Sequence, residues 1–117
     1  MYVAAFVVAV HTDRKADYLR MAEEAGAVFR DHGALRVVEC WGDEVPDGKV
    51  TSFPMAVKLE PGETVVFSWI EYPDKQTAVT GMEAAMKDPR LADAGPPEGI
   101  MAGQRMIYGN FTPILDM

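Results

Sequence analysis

Apolar side chains fill both alternating sets of the first segment. Tyr2, Ala4, Phe6, Val8 and Val10 form one set, and Val3, Ala5, Val7 and Ala9 the other. A strand with two apolar faces has to be covered on both. His11, Thr12 and Asp13 end it, and Thr12 or Asp13 is placed to cap the next element by accepting from its free backbone N–H groups. From about residue 14 to 32 the period changes. Tyr18, Leu19, Met21, Ala22, Ala25, Gly26, Val28 and Phe29 gather on one arc of a helix, with Asp17, Arg20, Glu23, Glu24, Arg30 and Asp31 outside it. Gly33 is a suitable stop just past the helix end.

Alternation returns over 34–41, with Leu35, Val37, Glu39 and Trp41 against Arg36, Val38 and Cys40. Residues 42–49 are dense in Gly, Asp and Pro and read as a loop. Phe53 to Leu59 reads as a short strand, and Thr64 to Tyr72 as a strand dominated by Val, Phe, Trp, Ile and Tyr. The Pro61-Gly62 turn between these two predicts a hairpin. Asp74 caps a second helix in which Ala78, Met82, Ala85 and Met86 keep helical spacing, and Asp88-Pro89 ends it. Residues 90–103 read as a long loop, the kind that serves as a lid or binding segment, with 92–104 as the candidate lid. A last strand runs over 105–115.

This order predicts an α+β fold of the ferredoxin-like split βαβ kind, an antiparallel sheet with two helices on one face. The sheet's other face is then open. Yet the first strand is apolar on both sides, and Phe67, Trp69, Ile70, Ile107, Tyr108 and Phe111 also lie on strands. A second copy packed sheet against sheet in a symmetric homodimer is the economical cover, and the enclosed space offers a pocket.

Composition narrows the partners. The 117 residues make a single domain, residues 1–117, large enough to fold without a disulfide or structural metal. Acidic residues number 18 against 11 basic ones, for a net charge of −7, and the basic residues are scattered. Nucleic acid and membrane are therefore disfavoured as partners. No apolar run approaches the ~20 residues of a membrane span, and the first ten residues lack a basic n-region. One cysteine, Cys40, cannot form an internal disulfide, which fits a reducing, cytoplasmic setting.

Four stretches carry a resemblance: residues 48–54 (GKVTSFP), 64–70 (TVVFSWI), Asp88-Pro89-Arg90-Leu91 and Arg105-Met106-Ile107-Tyr108-Gly109, with His32-Gly33-Ala34-Leu35 and Val38-Glu39-Cys40 in support. Together they resemble the YbaA-like family of bacterial proteins of unknown function, over nearly the whole chain. The resemblance implies membership of the dimeric α/β-barrel superfamily, whose sheets pair face to face. It transfers fold and assembly but no catalytic residues, because one fold hosts many reactions.

The candidate chemistry rests on a few side chains. His32 closes the first helix on its apolar arc. It reads either as an acid/base or as a cation favoured by the helix C-terminus. Glu39 stands in an otherwise apolar row, where burial would lift its pKa into a range useful for proton transfer; on an edge strand it would be wet. His32 and Glu39 are thus the candidate catalytic pair. Trp69 and Tyr108 are candidates to stack a flat ligand or to anchor an interface, and Arg105 to hold an anion or pair with a carboxylate. The chain has no CxxC, HExxH, EF-hand, GxGxxG, P-loop or GxSxG pattern, so no metal site or cofactor is expected. Two functions remain: binding or transformation of a small organic molecule between sheet and helices, or a non-catalytic dimeric interaction or stress-response module.

Overall fold

The computed structural model describes residues 1–95 and 97–117. Four strands, β1 (Tyr2–His11), β2 (Arg36–Trp41), β3 (Glu63–Tyr72) and β4 (Ile107–Phe111), form one antiparallel sheet in the order β2-β3-β1-β4. Two principal helices, α1 (Lys15–Asp31) and α3 (Lys75–Lys87), cover one face, and two single-turn helices, α2 (Phe53–Ala56) and α4 (Pro89–Ala92), lie in the connections. This is the ferredoxin-like βαββαβ arrangement read from the sequence.

β1 lies in the interior of the sheet, as a strand apolar on both faces requires. Register puts Ala4, Phe6 and Val8 in line with Ile70, Ser68 and Val66 under the helices. The core there joins Ala4, Ala34, Ile70, Tyr72 and Ala78 to Phe29, Val37 and Met82, and, further along, Val8, Val10, Tyr18 and Val66 to Met21 and Trp41. Tyr72 is fully buried, and its hydroxyl has no hydrogen-bond partner among the described residues. A buried donor left unmade costs about 1–3 kcal/mol, so Tyr72→Phe is expected to raise the unfolding free energy by roughly 1 kcal/mol. Chemical denaturation of the two proteins measures the difference.

Local signals explain the helix ends. Gly33 adopts φ +106° and lets the chain turn sharply out of α1, with Ala34 N–H donating to Phe29 O at 3.0 Å. Asp74 accepts from Thr77 N–H at 2.8 Å and caps α3 as read. Asp88 accepts from Arg90 N–H at 3.0 Å and starts α4 with Pro89 in its first turn. The start of α1 differs from expectation. Neither Thr12 nor Asp13 caps it; residues 12–14 form a 3₁₀ turn, and the Thr12 hydroxyl pairs with that of Thr64 at 2.7 Å.

The hairpin read across Pro61-Gly62 is not formed. The segment read as a strand from Phe53 opens as α2, because the Ser52 hydroxyl accepts from Met55 N–H at 3.1 Å and Pro54, without an N–H, suits a first helical turn better than a ladder. β3 pairs with β1 and β2 instead. The displaced segment folds under the sheet, where Val57 is fully buried with Val7, Ala9 and Val65. The chain thus covers one end of its own second face. The remainder exposes Phe67, Ile107 and Phe111.

The segment read as a loop over 90–103 has more structure than expected. It begins in α4, and residues 100–102 extend the sheet beside β1, with His11 N–H donating to Ile100 O and Ala102 N–H to Ala9 O, both at 2.9 Å. Of the lid read over 92–104, Pro96 lies outside the described residues. The final strand is also shorter than expected and sits at an edge.

Candidate functional site

α1 lies over the sheet beside the edge strand β2, and the two leave an open groove of about 600 Å³. The helix contributes a stripe at helical spacing, Leu19, Ala22, Gly26 and Arg30, and the strand contributes Leu35, Val37 and Glu39. Gly26 has only an ordinary contact opposite it, with the Val37 side chain 3.8 Å from where a Cβ would stand. None of the described residues of 92–104 lines this groove.

Glu39 is the groove's ionisable group on the sheet side. Its strand position opposite Ser68 turns it toward the helices, and the Tyr18 hydroxyl of α1 donates to its Oε1 at 2.6 Å. Among the described residues Tyr18 is its one hydrogen-bond partner. Burial pushes the Glu39 carboxyl above the ordinary glutamate range, and the Tyr18 hydrogen bond only partly offsets that. Burial, then the hydrogen bond to Glu39 and that carboxylate's charge, push the Tyr18 phenol well above its ordinary value. Tyr18 therefore stays protonated as a fixed donor, and Glu39 is the group able to exchange a proton. β2 is an edge strand and Glu39 is exposed there; α1 screens its carboxyl from one side only, through Tyr18.

The other sequence candidates are not brought together with it. His32 closes α1, and its Nε2 lies 3.0 Å from Asp88 Oδ2. Tyr18 and His32 stand at opposite ends of α1, about 20 Å apart at ~1.5 Å per residue. Asp88 also accepts from Arg90 Nη2 at 2.8 Å, and Arg90 Nη1 reaches Asp31 at 2.8 Å. Arg90 chiefly, with His32, holds the Asp88 carboxyl well below the usual carboxylate range. This junction fastens α4 to the end of α1.

Trp69 and Tyr108 face opposite sides of the sheet. Trp69 pairs with Ala5 on the open face, packs 5.9 Å from Phe67 and donates to Glu71 Oε2 at 3.0 Å. Tyr108 pairs with Phe6 on the helix side, where it is 76 % exposed on an edge strand. Within one chain they cannot stack the same ligand. Arg105 is engaged by Glu63, Glu60 and the carbonyls of Val57 and Lys58.

Tyr18 was legible only as a core position of α1, and Asp88 only as a helix stop. A hydroxyl on the buried arc of a helix, with a carboxylate on the inward face of the next strand, is the pattern that links Tyr18 to Glu39.

The profile of the family described as "Protein of unknown function (DUF1428)" matches residues 1–101. The chain belongs to this family. It is 52 % identical over 115 residues to "Uncharacterized protein YbaA" of Escherichia coli K12, covering 98 % of this chain and 97 % of that protein. The protein of the same name from Shigella flexneri matches to the same extent. Among solved structures, an "uncharacterized NIPSNAP domain protein from Burkholderia xenovorans" superposes with a TM-score of 0.61 over 97 % of this chain and 94 % of that one, at 16 % identity. The DUF1428 chain thus shares its fold with that domain. The family profile takes in both Tyr18 and Glu39 and ends before β4.

Proposed function

We propose that this protein binds, and through Glu39 transforms, a small organic molecule in the groove between α1 and β2, acting as a homodimer in the cytoplasm. The observation that carries this reading is the Glu39 carboxyl that Tyr18 holds at the rim of the groove. One of its oxygens is held by Tyr18 and the other has no protein partner among the described residues, in a groove whose wall joins Leu19, Ala22, Leu35 and Val37 to Glu23, Arg30 and Arg36. A carboxyl in that setting accepts a proton from a bound hydroxyl or acidic C–H group, or donates one after protonation. The ligand class is accordingly a molecule with a largely apolar body and one polar, proton-exchanging group. Arg30 and Glu23 at the groove wall act on its polar end. In this reading His32 serves the helix junction and Arg105 the fold.

The exposed apolar side chains Phe67, Ile107 and Phe111 on the open sheet face support the homodimer. The free Cys40 supports the cytoplasmic reading, and no helix among the described residues is long and apolar enough to cross a membrane. A non-catalytic interaction module is the second reading. It is favoured by the structural partners that His32, Trp69 and Arg105 each have.

Native mass spectrometry of freshly purified protein, paired with Glu39→Gln, tests the first reading. We expect a dimer carrying a small organic adduct, which Glu39→Gln retains about tenfold less tightly or not at all. Stability supplies a second readout. Because burial raises the Glu39 pKa, the folded state holds this proton more tightly than the unfolded chain does. The Glu39 contribution is therefore greatest below the ordinary glutamate value and falls as pH rises toward the raised one. Glu39→Gln should remove that decline from a plot of Tm against pH. An adduct-free dimer that no member of a panel of hydroxy, keto and phenolic compounds stabilises would favour the non-catalytic reading.

A further inference from the structure

Beyond Phe111 the chain carries apolar side chains with little to pack on. Ile114 is 98 % exposed, Leu115 is 75 % exposed and Met117 is fully exposed. Register gives the reason. Phe111 closes the β1–β4 ladder opposite Val3, and Pro113, two residues on, has no N–H with which to extend it. The segment overhangs the end of its own sheet. It continues directly from Ile107 and Phe111, the exposed side chains of β4 on the open face, and residues 107–115 contain no charged side chain in a chain of net charge −7.

We infer that residues 112–117 cross to a second copy of this chain and pack on it, so that Ile114, Leu115 and Met117 belong to the interface. The inference rests on the homodimer reading and goes beyond it, since sheet-to-sheet contact alone needs nothing past Phe111. Length permits the crossing: facing sheets lie about 10 Å apart, and six extended residues span about 20 Å. Charge favours it as well. Two copies that repel through their net charge meet at least cost along the uncharged strip 107–115, with Asp116 the one charged side chain of the tail beyond it. The second copy also presents free outer edges at β2 and β4, whose unpaired backbone groups accept an extended segment. The competing intramolecular place is the smaller groove between α3 and the β4 edge, lined by Val79, Met82, Met86 and Asn110.

The test compares three proteins by sedimentation equilibrium: the full chain, a chain stopped after Phe111, and the full-length double variant Ile114→Asp/Leu115→Asp. Both altered proteins are expected to dissociate at protein concentrations about tenfold higher or more than the full chain. Their far-UV circular dichroism should match, because the tail supports none of its own chain's core. In the full chain, amide exchange at residues 112–117 should slow as concentration rises through the dimer transition. If the shortened chain aggregates, the double variant and the exchange measurement decide. Unchanged dissociation in the altered proteins overturns the tail contact while leaving the dimer standing. Protection independent of concentration places the tail on its own chain and overturns it too. A full chain that stays monomeric throughout removes the dimer and this inference together.

Discussion

Gly81→Ala is expected to destabilise the protein by about 2 kcal/mol, and Gly26→Ala to stabilise it by up to about 1 kcal/mol, although both glycines sit inside helices. In an open helix the exchange favours alanine by roughly 1 kcal/mol, because glycine loses more backbone freedom on folding. Packing decides the sign. A Cβ at Gly81 would stand 2.2 Å from the carbonyl oxygen of His32 and 3.4 Å from Tyr72 Cε1. Neither neighbour yields easily: one is backbone at the end of α1, and the other belongs to a fully buried ring. α3 would have to move away from α1, opening the core around Ala34, Tyr72 and Ala78. Strain of that kind costs about 1–3 kcal/mol or more, which outweighs the helical gain. At Gly26 the nearest atoms are Val37 side-chain carbons at 3.8 Å, so the helical gain survives. Thermal unfolding of both variants reads the two signs. A Gly81→Ala protein as stable as its parent would mean that the α1–α3 approach is looser than the structure has it.

The residues that made the fold legible act over short range. The two apolar faces of β1 require an interior strand, Asp74 offers its carboxylate three residues ahead, and Gly33 supplies a φ that other residues resist. What stayed illegible depends on contacts between distant segments. Phe53 to Leu59 has strand-like composition, but Ser52 and Pro54 turn its start into α2 and tertiary burial of Val57 holds the rest under the sheet. Glu39 was recognisable as a carboxylate in an apolar row. Its partner Tyr18 was not, because their meeting depends on the rotation of α1 about its own axis, which sequence spacing leaves free. The same holds for His32 and Asp88, brought together across 56 positions. Trp69 and Tyr108 show the converse: both lie on strands, but only the register reveals that they face opposite sides.

Arg105→Ala is expected to cost about 2–3 kcal/mol at neutral pH, the second large effect, and to do so by leaving polar groups behind rather than by removing packing. The guanidinium donates through Nη2 to Glu63 Oε2 at 2.6 Å and through Nη1 to Glu63 Oε1 at 3.0 Å, a two-pronged grip on a carboxylate whose side chain is only 2 % exposed. The same Nη1 reaches the carbonyls of Val57 at 3.0 Å and Lys58 at 2.7 Å. Lys58 is held at φ +50°, a conformation uncommon for non-glycine residues. One side chain thus ties the segment after α2 to the start of β3 and keeps Val57 under the sheet. Arg105→Lys keeps the charge but loses the fork, so its loss should be intermediate. Acid should separate the electrostatic part from the rest. Arg105 holds the Glu63 carboxyl below the ordinary glutamate range, so its contribution is present in full above that range and is lost as pH falls through the lowered value. Denaturant midpoints of parent and Arg105→Ala should therefore converge as pH drops, leaving only the two carbonyl contacts between them. If the gap stays constant down to pH 3, the carbonyls and not the carboxylate carry the strut; if there is no gap at pH 7, Arg105 is dispensable to the fold and free to serve a ligand.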